Sequence, residues 1–274
     1  MAKNIIYENY TNIYHFMDKI ESRTPNGKFN ISSQKEGDGD WNGTRTYGEA
    51  LELFSNGIPA QAEKLKELTK TISCKGNINT VKPRPKNYYY GYSPNVPAAI
   101  IGLPKSMRMI ERNVNKVKAI SIYYDGTCNC MVNGEELTKA GETVFSLVYL
   151  MELNGYRVQL DYGVFAAREE GEECICNITL KEWKQGLDAL KLSFPLTSPA
   201  MFRRFGFKWA EVAPGVTKSS WRHGYGRHLN EEELIKSLNK VGRETKNTYV
   251  VTIARCRASD YDPIALAKQL GISL

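Results

Sequence analysis

Ala119-Ile-Ser-Ile-Tyr-Tyr-Asp125-Gly126 and Tyr156-Arg-Val-Gln-Leu-Asp-Tyr-Gly-Val-Phe-Ala166 bracket a helical stretch, and together they settle the fold class. The first segment is β-branched and aromatic, which suits a pleated, half-buried strand, and Asp125-Gly126 ends it. Ala140, Val144, Leu147 and Met151 then recur at spacings of three and four. That spacing marks the apolar face of a helix over 137–153, which Asn154-Gly155 stops. Tyr156 to Ala166 reads as a second strand, and Cys174 to Ile178 as a third with alternating faces. A strand, a crossover helix and a strand make parallel neighbours. The sheet is therefore mainly parallel and flanked by helices, a Rossmann-like α/β arrangement.

Downstream, Thr179 and Glu182 have capping-box spacing and open a helix to about Leu192. Pro199 starts a short helix that Gly206 closes. Asn230 caps Glu231 to Val241, whose leading glutamates suit the helix dipole, and Gly242 ends it. Thr248 to Cys256 is a buried-type strand. Asp262 caps and Pro263 begins a last helix that Gly271 ends. Upstream, Thr11 caps an amphipathic helix with Ile13, Phe16, Met17 and Ile20 on one face. Asn26-Gly27 turns into a short strand, Lys28 to Ser33, and Glu36 to Asp40 is a flexible loop. Thr46 and Glu49 form a capping box for a helix stopped at Gly57, and Pro59 starts another to about Ile72. The chain thus reads as an α-rich, basic part over 1–117 with an irregular Pro/Tyr segment, then an α/β domain over 118–274, as two parts or as one compact unit.

The 274 residues are 42% apolar, enough for a substantial core. No run of about 18 apolar residues is present, and Met1-Ala2-Lys3-Asn4 leads into no apolar signal core. Both features point to a soluble cytoplasmic protein with no membrane partner. Six cysteines in this length read as reduced thiols. The Cys128/Cys130 and Cys174/Cys176 pairs supply four thiols, but a spacing of one argues against zinc, and Cys174 and Cys176 share a strand face as small core residues do. No metal or cofactor is expected.

The net charge of +7 arises in residues 1–118, with 18 basic against 11 acidic side chains, whereas 119–274 hold 19 of each. Residues 64–118 alone carry 12 basic and 2 acidic side chains, a field that attracts polyanions or acidic protein surfaces. The plainer alternative is a lysine-rich solvated surface.

Two segments interleave cations with rings. The first holds Arg84, Lys86, Tyr88, Tyr90 and Tyr92, with Lys105 and Arg108 nearby. The second holds Arg203 and Arg204, then Trp221, Arg222, His223, Tyr225 and Arg227. Cations for phosphates and rings for base stacking are what single-strand binders use, although alternate tyrosines also pack into cores. His223 has no convincing catalytic partner. Asp125 and Asp161 lie near strand ends, where α/β sheets bind ligands, and a carboxylate pair there can hold a magnesium ion. There is no phosphate-binding glycine loop and no Gly-x-Ser-x-Gly elbow.

The order of strand, Asp125, loop, long helix and strand resembles a von Willebrand factor A type domain over 118–274. In that family Asp-x-Ser-x-Ser follows the first strand. Here Asp125-Gly126-Thr127-Cys128-Asn129 keeps the aspartate and neither serine, so the resemblance implies a fold without a complete metal site. Three motifs together resemble a family of uncharacterised bacteriophage and prophage proteins. They are Trp41-x-Gly43-Thr44-x-x-Tyr47-x-Glu49-Ala50-x-x-Leu53-x-x-x-Gly57, Gly91-x-x-Pro94-x-Val96-Pro97-x-x-Ile100-x-Gly102-x-Pro104-x-x-Met107, and Arg222-His-Gly-Tyr-Gly-Arg227. That likeness implies a viral origin, hence the host cytoplasm, and lends no activity. The leading expectation is a non-enzymatic binding protein acting on nucleic acid or an acidic host protein. The alternatives are an inhibitor of a bacterial defence complex, and a metal-dependent hydrolase using Asp125, Asp161 and His223.

Overall fold

The computed structural model describes residues 5–25, 32–75, 86–109, 118–167, 173–214, 230–243 and 247–272. The chain forms two units, one of residues 1–75 with 119–274 and the other of residues 76–118. The larger unit begins with β1 (Ile5–Tyr10), α1 (Ile13–Ser22), α2 (Gly39–Asn42), α3 (Tyr47–Asn56) and α4 (Pro59–Lys75). The smaller contains β2 (Lys86–Tyr88), β3 (Ser93–Pro94), α5 (Val96–Ile100) and β4 (Met107–Met109). The larger resumes with β5 (Ala119–Asp125), α6 (Gly134–Leu153), β6 (Arg157–Ala167), β7 (Glu173–Lys181), α7 (Ala189–Thr197) and a π-helical turn at Met201–Gly206 that runs into α8 (Phe207–Val212). It ends with α9 (Glu231–Lys240), β8 (Thr248–Thr252), α10 (Ile253–Ala258) and α11 (Pro263–Gln269).

The large sheet has the order β1-β7-β6-β5-β8. β1 with β7, β6 with β5, and β5 with β8 run parallel, and β6 with β7 antiparallel. The mainly parallel, helix-flanked sheet is the Rossmann-like class that the 119–166 stretch predicts. One face carries Ile122, Tyr124, Leu160, Tyr162, Cys174, Cys176 and Ile178 into the main core, where α6 packs Val144, Leu147 and Met151. The other face carries Tyr123, Phe165, Ile175 and Val250 beneath Leu234 and Leu238 of α9. Gly141 lets α6 touch α7: a Cβ there would sit 1.8 Å from the Leu196 carbonyl oxygen.

Several local expectations change. Asn12, not Thr11, caps α1, its side chain accepting from the His15 amide at 2.8 Å. Ser32–Gln34 is a short 3-10 turn, and residues 26–31 lie outside the described residues. The Glu36–Asp40 stretch leads into α2, capped by Asp38. Thr179 lies inside β7 and caps nothing, because pairing with β6 carries the strand to Lys181. Asp188 caps α7 instead. Gly206 keeps helical φ, so the chain continues into α8. β8 stops at Thr252, whose hydroxyl accepts from the Arg255 amide and starts α10. The Thr46–Glu49 capping box, the Asn230 cap and the Asp262-Pro263 start form as the sequence predicts. Among the described residues no helix is long and apolar enough to cross a membrane.

Candidate functional site

In the smaller unit β4 pairs antiparallel with both β2 and β3, aligning Asn87, Arg108 and Ser93 in one row. The chain between β2 and β3 is the tyrosine segment, and it lies tight against β4. The Tyr92 amide donates to the Arg108 carbonyl at 3.0 Å, and a Cβ on Gly91 would stand 2.1 Å from that oxygen. Only glycine fits this approach. The rings around it point outward, with Tyr89, Tyr90 and Tyr92 being 68%, 67% and 63% exposed. Tyr88 is half-buried, 6.4 Å from the Tyr90 ring. Lys86, Lys105 and Arg108 are exposed, and the Lys105 ammonium lies 5.5 Å from the Tyr89 ring centroid. Arg84 lies outside the described residues.

The same unit exposes Val96, Ile100, Ile101 and Leu103, which sequence reasoning passed over. A short apolar run reads equally as a buried helix segment, so periodicity alone does not reveal an exposed one. Of α5 only Ala98 is buried, which leaves the remaining apolar side chains without a core.

Arg203 and Arg204 do not belong to this kind of surface. Each is 1% exposed, on the π-helical turn. The Arg203 guanidinium stacks on the Trp41 ring, 4.0 Å from its centroid, and donates to the Trp41 and Val132 carbonyls at 2.5 Å. Arg204 donates to the carbonyls of Ser33, Lys35, Thr44 and Arg45 at 2.5–3.0 Å. Lys208, 4% exposed, pairs with Glu21 at 2.7 Å over the Tyr47 ring. These cations tie segment 32–47 to the core, so Arg203 and Arg204 are not surface groups. Its remainder, Trp221, Arg222, His223, Tyr225 and Arg227, lies outside the described residues.

The two sheet aspartates are held apart. Asp125 pairs with Gly163 and Asp161 with Tyr123, two residues back along the strands. Asp125 is 2% exposed and accepts from the Thr127 amide at 2.9 Å, which opens the loop to α6. Burial raises its pKa to about 7, against the lowering effect of Thr127's backbone and side-chain hydrogen bonds. The Thr127 hydroxyl accepts from the Phe165 amide at 2.8 Å. Asp161 is bound separately by Thr179 at 2.7 Å and Gln159 at 2.8 Å, and burial raises its pKa too. Among the described residues no group of three His, Cys, Asp or Glu side chains is placed to hold a metal ion. Cys174, Cys176 and Cys256 are buried, Cys130 is exposed, and these with Cys128 are free thiols. Burial lifts the Cys128 thiol to about 11, against the pull of Arg203, so it carries little thiolate.

No curated protein and no solved structure matches the chain significantly. The sequence profile of one family, Domain of unknown function (DUF7192), matches residues 2–269, nearly the whole chain, which therefore belongs to that family.

Proposed function

We propose that this protein binds single-stranded nucleic acid, without chemistry on it, through the surface of residues 86–109. The observation that supports the reading is the trio Tyr89, Tyr90 and Tyr92, each more than 60% exposed, among the exposed Lys86, Lys105 and Arg108. Cations alone suit any acidic partner. Rings held open beside them suit unpaired bases, each stacked base contributing about 1–3 kcal/mol. Gly91 fixes the hairpin that presents the rings, so little ordering cost remains at binding. The excess of 12 basic over 2 acidic side chains in residues 64–118 supports the same polarity. A viral origin, implied by the likeness to bacteriophage proteins, fits a role on host or phage nucleic acid. Val96, Ile100, Ile101 and Leu103 favour a second reading, a protein partner such as a bacterial defence complex, because exposed aliphatic clusters mark interfaces.

The test is fluorescence anisotropy with a labelled mixed-sequence oligonucleotide, single-stranded and as duplex, at low and high salt. The proposal expects tighter binding of the single strand and a log–log salt slope of about −0.7 per phosphate neutralised. Absence of binding, or affinity indifferent to salt, would contradict it.

A further inference from the structure

On the sheet face beneath α9, five chain segments bring polar side chains to one place. β1 supplies Tyr7 and Asn9, β5 Tyr123, β6 Gln159 and Asp161, β7 Asn177 and Thr179, and the residue after Gly242 supplies Arg243. The Arg243 guanidinium donates through Nε to the Tyr7 hydroxyl at 2.7 Å and through Nη2 to Asn9. Asn177 donates to Asn9 at 2.6 Å. Asp161 takes its two hydrogen bonds from Thr179 and Gln159. Arg243 and Asp161 attract each other, yet among the described residues they form no direct ion pair. Among the described residues, Tyr123, 1% exposed, leaves its hydroxyl without a partner, and Asn177, 0% exposed, leaves its amide oxygen without one. An unmet buried polar atom is costly, and two in one cluster call for a group that meets them.

The unused valences define that group. Tyr7 accepts from Arg243 and keeps its own proton to donate. Tyr123 has a free hydroxyl proton, and Arg243 spends Nε on Tyr7 and Nη2 on Asn9. Tyr7, Tyr123 and Arg243 are donors on one sheet face and together suit an acceptor with negative charge. Asn177 Oδ1 and the remaining lone pairs of Asp161 are acceptors, and a donor with positive charge suits both. The cluster reaches solvent where Asn9 is exposed and Arg243, Gln159 and Thr179 are half-buried. We propose that this cluster is a binding site for a small zwitterion, a free α-amino acid. Its carboxylate lies on Arg243, Tyr7 and Tyr123, and its ammonium on Asp161 and Asn177. The ligand bridges the facing charges that the protein leaves unpaired, and it stands independent of any nucleic-acid role.

The experiment is thermal unfolding of the full chain with each of the twenty standard amino acids, and with acetate and methylammonium as single-group probes. One or more amino acids should raise the melting temperature saturably, with neither probe doing so. Tyr123→Phe deletes only the unpartnered hydroxyl, so the fold survives, and the apparent Kd for the protecting amino acid should weaken about tenfold. Protection by no amino acid, equal protection by acetate, or an unchanged Kd in Tyr123→Phe each overturns the proposal.

Discussion

Arg203, Arg204 and Lys208 stand among Phe202, Phe205, Phe207 and Trp209, much as Lys86, Lys105 and Arg108 stand around Tyr88 to Tyr92. The residue types match and the environments are opposite. At 203–208 the turn of helix is enclosed, the guanidiniums donate to backbone carbonyls, and Phe202, Phe205 and Trp209 are core. At 86–108 Ala98 alone is buried among the described residues, and the cations with Tyr89, Tyr90 and Tyr92 are exposed. Interleaved basic and aromatic residues therefore do not by themselves mark a binding surface. What separates the two cases is whether carbonyls or solvent receive the donors.

That contrast predicts stability effects of very different size. Arg204→Leu removes the donors to four carbonyls, two of them contacted through fully buried geometry, and each carbonyl left unmet costs about 1–3 kcal/mol. Denaturant melts should show a loss of at least about 3 kcal/mol, and a loss below about 1 kcal/mol would mean the segment 32–45 is not held this way. Gly141→Ala forces a methyl against the Leu196 carbonyl and should cost about 1–3 kcal/mol by the same measurement.

Asp125 adds a pH signature to the larger unit. Its folded pKa of about 7 stands above the ordinary 3.8, so the folded state holds the proton more tightly than the unfolded one. Stability is then highest below pH 3.8 as far as this group is concerned, falls as pH rises through that window, and levels above about 7. Asp161 contributes with the same sign. Asp125→Asn should remove part of the fall and stabilise the protein at alkaline pH, whereas an unchanged profile would show that burial does not perturb this carboxyl. The smallest effect on stability belongs to the smaller unit. Tyr89→Ala, Tyr90→Ala and Tyr92→Ala should each shift stability by no more than about 0.5 kcal/mol, since exposed rings leave little contact behind. Oligonucleotide affinity should nevertheless fall by about 1–3 kcal/mol for each ring that stacks a base.

Much of the larger unit is legible because its signals are local. Thr46 with Glu49 and Asn230 with Glu233 specify helix starts within four residues, and Ala140 to Met151 announces the central helix. β1 is invisible for the opposite reason. Ile5-Ile6-Tyr7-Glu8-Asn9-Tyr10 becomes a strand only by pairing with Glu173–Ile178, and no local pattern encodes a partner that far along the chain. Thr179 shows the converse error, a good cap spacing overridden by ladder pairing. The tyrosine hairpin is legible as composition, while its exposure depends on the Gly91 contact with Arg108. The Tyr7–Asp161–Arg243 cluster is legible only in three dimensions, because its residues come from five separated segments.

The direct discriminator is ultraviolet cross-linking of the full-length protein to a single-stranded oligonucleotide, with the attachment points mapped by mass spectrometry. A binding surface at residues 86–109 requires cross-links on Tyr89, Tyr90 or Tyr92, lost at high salt. Cross-links confined to other segments, with residues 86–109 unmarked, would contradict it.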